Sequence, residues 1–183
     1  MRTLTLLCLT CAAVTAPLPA ATITLDPPSG DISLLPGQPF GWGFTITNDN
    51  LLDTISFTGS VLVNETNPGF GGYTDFIGPQ GGPSLEATLG PSEVWTEAFS
   101  DTNQTGIGEF LLAPGTPGGA QDSGSIRVEW DEWDGDPVTC NCSAAQFSED
   151  VSFQVSASSV PEPASLGMAA LGGALLLFGR RKK

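Results

Sequence analysis

Histidine is absent from the sequence, and basic residues are scarce outside its two ends. Without histidine the chain cannot form a Ser-His-Asp or Cys-His catalytic group or a histidine-ligated metal centre. Residues 22–160 hold one basic residue, Arg127, against nineteen acidic residues, which gives this body a net charge of −18 and no lysine. A surface of that sign repels the phosphates of nucleic acids. We therefore expect no nucleic-acid partner.

Helical periodicity is also lacking between the two ends. Glycine and proline supply 23 and 15 of the 183 residues, and turn signals built from them separate short segments in which apolar and polar residues alternate. This pattern is typical of strands joined by turns, and the length is enough for one domain. We predict an all-β fold for residues 22–157, a sandwich of two antiparallel sheets.

Four segments show the clearest alternation, and we expect their apolar side chains to form the core. Gly59 interrupts the second segment, which indicates a β-bulge or the close approach of another part of the chain. The expected core residues are Phe40, Trp42, Phe44 and Ile46 in the first segment, Ile55, Phe57, Val61 and Val63 in the second, Ile126, Val128 and Trp130 in the third, and Val151, Phe153, Val155 and Ala157 in the last.

Residues 1–21 have the three parts of a secretory signal peptide. Arg2 supplies the positive charge, Leu4–Val14 is an apolar run, and Ala20 and Ala21 are small residues suited to cleavage. The apolar run is too short for a permanent membrane-spanning helix. We expect signal peptidase to remove this segment during export.

Residues 158–183 form a second targeting segment. Residues 164–179 carry no charge, and as a helix they would span roughly 24 Å, slightly less than the hydrocarbon core of a bilayer. Four cations end the chain, namely Arg180, Arg181, Lys182 and Lys183. Such side chains extend to the lipid headgroups and favour the cytoplasmic side. We predict a transmembrane helix that leaves the acidic body outside the membrane.

Pro161, Glu162 and Pro163 precede this helix, in the sequence Val-Pro-Glu-Pro-Ala-Ser. The motif, the short apolar helix and the basic tail together resemble the PEP-CTERM sorting signal of envelope and matrix proteins in Gram-negative bacteria. The resemblance implies that exosortase, a membrane-embedded cysteine protease thought to cut near the motif, recognises the chain. It also implies a tether in the inner membrane during transit, followed by a place on the envelope surface or in the extracellular matrix.

A looser resemblance covers residues 31–112. A Leu-Leu-Pro-Gly turn at residues 34–37 precedes the strand Phe44–Asn48, which ends in Thr-Asn, and a second Leu-Gly-Pro turn at residues 89–91 precedes Val94–Phe99. This succession is similar to that of bacterial extracytoplasmic immunoglobulin-like modules. The resemblance implies the broad architecture alone, an immunoglobulin-like sandwich.

Cys140 and Cys142 are the thiols that remain after removal of the signal peptide. In an oxidising compartment a disulfide is the default state, although the one residue between these cysteines would make its ring tight. Three interpretations stay open, which are a disulfide within one loop, bonds to other chains, and a redox site.

The densest group of acidic residues follows the third core segment. Glu129, Asp131, Asp134 and Asp136 stand around a bend at Gly135, and carboxylate oxygens are the ligands that calcium prefers. Their spacing differs from that of an EF-hand loop. The group therefore predicts either a calcium site or a solvated acidic turn.

The sequence assembles no recognisable catalytic group, so we predict a non-enzymatic protein with a structural or adhesive role in the envelope or the exopolysaccharide. No cofactor is expected apart from calcium. One alternative is a carbohydrate- or calcium-binding module, in which Trp95 and Trp133 stack on sugar rings while Trp42 and Trp130 are buried. A second alternative is a small glycan hydrolase that uses paired carboxylates.

Overall fold

The computed structural model describes residues 21–78, 88–135, 137 and 144–159, and ten strands account for most of these residues. The turns between the strands coincide with the clusters of glycine, proline and asparagine in the sequence. The strands are β1 (Ala21–Asp26), β2 (Asp31–Leu34), β3 (Pro39–Asn48), β4 (Thr54–Val63), β5 (Gly71–Asp75), β6 (Thr88–Leu89), β7 (Val94–Glu97), β8 (Gly108–Leu112), β9 (Gln121–Trp133) and β10 (Ala144–Ala157).

The strands form two sheets that pack face to face. The first sheet has the order β1-β3-β8-β5, with β7 also paired to β3, and the second has the order β2-β10-β9-β4-β6. Every pair is antiparallel except β2 and β10, which are parallel. In the first sheet β1 lies beside β3, and in the second sheet β4, β9 and β10 follow one another. Immunoglobulin-like sandwiches have this arrangement. The predicted all-β sandwich is confirmed.

The core lies between the two sheets and is built from the side chains that alternate inward along the strands. Trp42 and Trp130 are fully buried, as predicted, and Trp42 packs edge-on against Phe153 of the opposite sheet with ring centroids 5.6 Å apart. The expected core positions that are buried are Trp42, Phe44, Ile46, Ile55, Phe57, Ile126, Val128, Trp130, Phe153, Val155 and Ala157.

The bulge predicted at Gly59 is present, and it corrects the expected burial of the residues that follow it. The register of β4 against β9 shifts between Phe57 and Gly59, so Thr58 is an extra residue. Because one inserted residue exchanges the two faces of a strand, Val61 is 45% exposed and Leu62 packs against the core instead. The prediction that Val61 and Val63 continue the buried face was therefore wrong.

Phe40 is a second correction, since it is 45% exposed and was expected in the core. Its ring packs against Phe99, with centroids 5.1 Å apart. The segment that contains Phe99 crosses the outer side of β3 so closely that a Cβ atom on Gly41 would lie 2.5 Å from the Phe99 ring, and one on Gly43 would lie 2.8 Å from the Glu97 carbonyl oxygen. Alternation along one strand cannot reveal this crossing segment.

The sandwich has two distinct ends, which we call the exit end and the far end. The exit end is where β10 finishes at Ala157, beside Leu34 of β2. The far end is where β10 begins at Ala144, beside Trp133 of β9. With about 3.3 Å per residue the 14 residues of β10 place the two ends roughly 43 Å apart.

Candidate functional site

The fold closes immediately before the predicted sorting segment. The backbone amide of Ser158 donates a 2.7 Å hydrogen bond to the carbonyl oxygen of Leu34. Ala157 accepts a 2.8 Å hydrogen bond from the amide of Gly119 and donates a 2.9 Å hydrogen bond to the carbonyl oxygen of Ala120. The chain is thus fixed to the sandwich up to residue 158.

Several predicted features lie outside the described residues. These are residues 1–20 of the signal peptide, Cys140 and Cys142, Asp136, the motif Pro161, Glu162 and Pro163, the helix at residues 164–179, and the tail Arg180, Arg181, Lys182 and Lys183. Within the ranges that the structure describes, no helix is long and apolar enough to cross a membrane.

A groove runs from β9 and β10 across β4 to β5 of the first sheet, and we call it the polar groove. It consists of two adjoining cavities of about 410 and 390 Å³ that share Thr58 and Glu129. Glu129 lies directly opposite Ser148 of β10, and Asp131 lies opposite Gln146. The remaining lining residues are Trp130, Gln146, Phe147 and Ser148 in the first cavity, and Gly59, Ser60, Val61, Tyr73, Thr74 and Asp75 in the second.

Arg127 and Asp150 form an ion pair on the outward face of the second sheet, two residues along each strand from Glu129 and Ser148. Arg127 makes two hydrogen bonds to the carboxylate of Asp150, at 2.7 and 3.0 Å. The hydrogen bonds and charge of Asp150 raise the pKa of Arg127, and the hydrogen bonds from Arg127 lower the pKa of Asp150. The one basic side chain of the body is therefore already paired.

Trp133 lies on the outward face at the end of β9, between Thr54 of β4 and Ala144 of β10 in the register. The Nε1 of Trp133 is shielded from solvent and has no hydrogen-bond partner among the residues described, and the same holds for Oδ1 of Asp131. Trp133 is partly buried, and stacking of a sugar on its ring stays a prediction.

Trp95, the other residue expected to stack on sugar rings, packs against two core phenylalanines. Its ring stands nearly perpendicular to that of Phe44, with centroids 4.5 Å apart, and tilts against Phe57 at 5.9 Å. Trp95 is partly buried against the core cluster. Its aromatic face is engaged in packing, so the proposed stacking role would fall to Trp133 alone.

The acidic residues predicted as calcium ligands are spread over two elements. Glu129 and Asp131 point outward from β9, and Asp134 lies in the bend after that strand. Among the residues that the structure covers, no three acidic or cysteine side chains are grouped closely enough to hold a metal ion. Since Asp136 is outside those residues, calcium binding by this set stays a prediction.

Glu132 instead meets Asp53 at the far end of the sandwich. Asn50 donates one hydrogen bond to Asp53, at 2.9 Å, and another to Glu132. Burial raises the pKa of Glu132, the Asn50 hydrogen bond lowers it, and the neighbouring Asp53 raises it again. With Asp134 these residues line a cavity of about 230 Å³. Asp53 and Glu132 are 79 residues apart in the sequence, so sequence analysis missed Asp53.

Ser60, Tyr73 and Asp75 form a hydrogen-bonded group between the two sheets. The Ser60 hydroxyl donates a 2.6 Å hydrogen bond to Asp75 and lies 2.8 Å from the Tyr73 hydroxyl. Asp75 also accepts hydrogen bonds from the amides of Ile77 and Gly78. Burial, and to a smaller degree the charge of Asp75, raise the pKa of Tyr73. These hydrogen bonds join β4 of the second sheet to β5 of the first.

Comparison with known proteins identifies the C-terminal segment. Residues 159–183 match the PEP-CTERM protein-sorting motif. The chain is therefore an exported protein, sorted through the membrane by an exosortase-type system. No curated protein matches the sequence. Among solved structures, the ASH/PapD-like domain 7 of human CEP192 is 12% identical and aligns over 88% of this chain and 100% of that chain, with a TM-score of 0.35.

Proposed function

We propose that the β-sandwich is a non-enzymatic structural or adhesive module of the envelope surface or the extracellular matrix. The observation that carries the proposal is the junction at residues 158–159. Within the described residues, Ser158 makes the last backbone hydrogen bond to the sandwich, and the sorting motif begins at the next residue. The sandwich is thus the part that the sorting system delivers.

The charge of the body supports this location. Residues 22–160 carry a net charge of −18, and the one cation among them is paired with Asp150. A polyanionic surface keeps a protein hydrated and apart from anionic lipid headgroups. These are suitable properties for a protein that leaves the membrane for a hydrated matrix.

Delivery is tested by changing the sorting motif in cells that produce the full chain. Glu162→Ala, and separately deletion of residues 180–183, should leave the protein in the inner-membrane fraction at its unprocessed mass. Glu129→Ala, on the polar groove, is the matched control and should reach the surface like the wild type. Surface material of wild-type mass from the Glu162→Ala variant would contradict this route.

The structural or adhesive role needs a separate measurement. Cells that lack the chain should lose matrix cohesion and surface attachment, and the wild-type gene should restore both. The Glu162→Ala variant should fail to restore them, because its sandwich stays at the inner membrane. Unchanged cohesion and attachment in cells without the protein would remove the proposed role.

Carbohydrate binding is a second candidate, which the polar groove favours. Carboxylate, amide and hydroxyl groups line it, and Trp133 lies on β9 four residues after Glu129, in phase with it. Sugar recognition uses this combination, since hydroxyl groups need hydrogen-bond partners and sugar rings stack on aromatic faces. The acidic lining indicates a neutral or amine-bearing glycan rather than an anionic one.

A glycan array with the purified protein tests this candidate. Trp133→Ala should abolish binding and Trp133→Phe should keep part of it, because phenylalanine retains an aromatic face. Val94→Ala, at an exposed position of the other sheet, should bind like the wild type. Equal signals from the wild type and Trp133→Ala would exclude the groove. Shortening of a bound glycan would instead indicate the hydrolase alternative.

A further inference from the structure

Asp122 is the only acidic side chain that is fully buried among the described residues, with 1% of its surface exposed. It occupies the second position of β9 and faces inward, in phase with Ile126 and Val128. This places a carboxylate at the exit end of the core. A buried carboxylate is costly unless both its oxygens are satisfied.

One oxygen of Asp122 is well satisfied. Its Oδ1 accepts hydrogen bonds from the backbone amides of Asn67 and Ser123, both at 2.8 Å, and from the Thr66 hydroxyl at 3.0 Å. These contacts hold the loop between β4 and β5 against the start of β9. The amide of Thr66 adds a 2.9 Å hydrogen bond to the carbonyl oxygen of Ser123.

The other oxygen has a different environment. Oδ2 of Asp122 is buried and has no hydrogen-bond partner within the described part of the chain. The carboxyl group of Glu65, from the same loop as Thr66, lies within hydrogen-bond reach of Asp122. Burial raises the pKa of Glu65, and the charge and hydrogen bonding of Asp122 raise it further. The fully buried carboxyl group of Asp122 therefore meets the partly exposed carboxyl group of Glu65.

Among the described residues, no basic side chain neutralises them. Arg127, the one cation between Arg2 and Arg180, is bound to Asp150 on the outward face of the sheet. Two carboxylates within hydrogen-bond reach of each other repel unless a proton or a cation lies between them. The described part of the chain supplies no such cation, so we look for it outside that part.

We propose that Glu65 and Asp122 bind a divalent cation of the calcium type, which fixes the β4–β5 loop to β9 at the exit end. Oδ2 of Asp122 and the carboxylate of Glu65 would be its charged ligands. The hydroxyl groups of Thr66 and Ser123, 3.3 Å apart, lie beside them. Calcium takes six to eight oxygen ligands, and sites in extracellular modules bind with dissociation constants of about 10⁻⁴–10⁻³ M. This site shares no residue with the polar groove.

Thermal unfolding tests the site. The full-length protein is melted in detergent micelles at neutral pH, once with calcium chloride and once with a chelator. Calcium at about one hundred times its dissociation constant should raise the ratio of folded to unfolded protein about a hundredfold. For a domain of this size that is a rise of about 5–10 °C in Tm. Glu65→Gln should abolish the rise, and Glu132→Gln, a glutamate paired with Asp53 at the far end, should keep it.

Calorimetric titration of the folded wild type should find one calcium ion per chain. Glu65→Asp keeps the carboxylate but shortens the side chain, so it should bind calcium more weakly. This variant tests the site even if Glu65→Gln folds poorly. Absence of calcium binding in the wild type would overturn the proposal. So would a calcium effect that survives Glu65→Gln but disappears in Glu132→Gln. If only acidification stabilises the protein through Glu65, the pair shares a proton and the cation site is wrong.

Discussion

The indole nitrogen of Trp42 donates a 2.7 Å hydrogen bond to the carbonyl oxygen of Gly30 in the core. Trp42 belongs to the first sheet, whereas Gly30 ends the turn between β1 and β2, where the chain passes to the second sheet. The same carbonyl oxygen accepts a longer hydrogen bond, of 3.3 Å, from the amide of Gln154 in β10. This one oxygen thus joins β3 and β10 to the turn that leads into β2.

Trp42→Phe should lower the free energy of unfolding by about 1–3 kcal/mol, because the better of the two hydrogen bonds to a buried carbonyl is lost. Urea denaturation of the purified protein measures the change. Trp133→Phe, on the outward face, is the matched control and should change stability by less than about 0.5 kcal/mol. Equal losses in the two variants would show that the Gly30 contact contributes nothing.

Gly30→Ala should destabilise the fold more than Gly37→Ala, although both glycines have positive φ angles, of +71° and +78°. An added Cβ at Gly37 meets nothing within 4 Å, whereas at Gly30 it would lie 2.3 Å from the carbonyl oxygen of Ser152. We expect a loss of about 1–2 kcal/mol at Gly37 from backbone strain alone. Gly30→Ala should lose clearly more, and similar urea midpoints for the two variants would contradict the close approach.

Asn48→Asp should be among the most damaging isosteric changes in the protein. The Asn48 side chain is fully buried, and its amide nitrogen lies 2.9–3.1 Å from the carbonyl oxygens of Asp53, Leu89 and Gly90. A carboxylate there would face three acceptors, and an uncompensated buried charge costs about 3–5 kcal/mol. Asn103→Asp, in an exposed turn, should be nearly neutral. Thermal melts at neutral pH compare the two, and a stable Asn48→Asp protein would refute the assignment.

Stability should increase as the pH falls from 7 to about 5. Four glutamates have a pKa above the usual 4.5, with burial as the largest cause in each; they are Glu65, Glu109, Glu132 and Glu149. Their contribution is complete below pH 4.5 and is lost as the pH rises through the values in the folded protein. The pKa of Asp150 is lowered from 3.8, so its contribution is present above that pH and is lost in stronger acid.

Melting temperatures between pH 3 and pH 7, in the presence of a chelator, check this profile. Glu132→Gln should reduce the gain between pH 7 and pH 5, since glutamine cannot take up the proton. Asp150→Asn should instead lower the melting temperature at pH 7, because it removes the partner of Arg127. A profile that declines steadily from pH 7 to pH 5 would contradict the assignment.

Much of the fold could be predicted from local patterns, because in a half-buried strand every second residue faces the core and is apolar. This holds for β9, where Ile126, Val128 and Trp130 are buried as expected. It fails after Gly59, where the bulge was anticipated but its effect on Val61 and Val63 was not followed through. Alternation also cannot show the parallel pairing of β2 with β10, since that contact joins segments far apart in the sequence.

The candidate sites divide in the same way. The sorting motif is a contiguous stretch, so Pro161, Glu162 and Pro163 could be recognised from sequence, and residues 159–183 match that motif. The carboxyl pairs are assembled from distant segments. Glu65 meets Asp122, and Glu132 meets Asp53, only because the loops at each end fold back on β9. The sequence shows the acidic group at residues 129–136, but it does not show that Asp53 lies beside Glu132 or that Glu65 lies beside Asp122.

The parallel pairing of β2 with β10 bears on how the exported chain becomes a finished domain. Register partners in this pair are 123 residues apart, and a contact of such long range forms late in folding. A chain that emerges with its N-terminus first exposes the edge of β2 until β10 has followed it. The segment that matches the sorting motif begins at residue 159, two residues after β10 ends, so the strand that completes the second sheet is also the strand that leads directly into that segment.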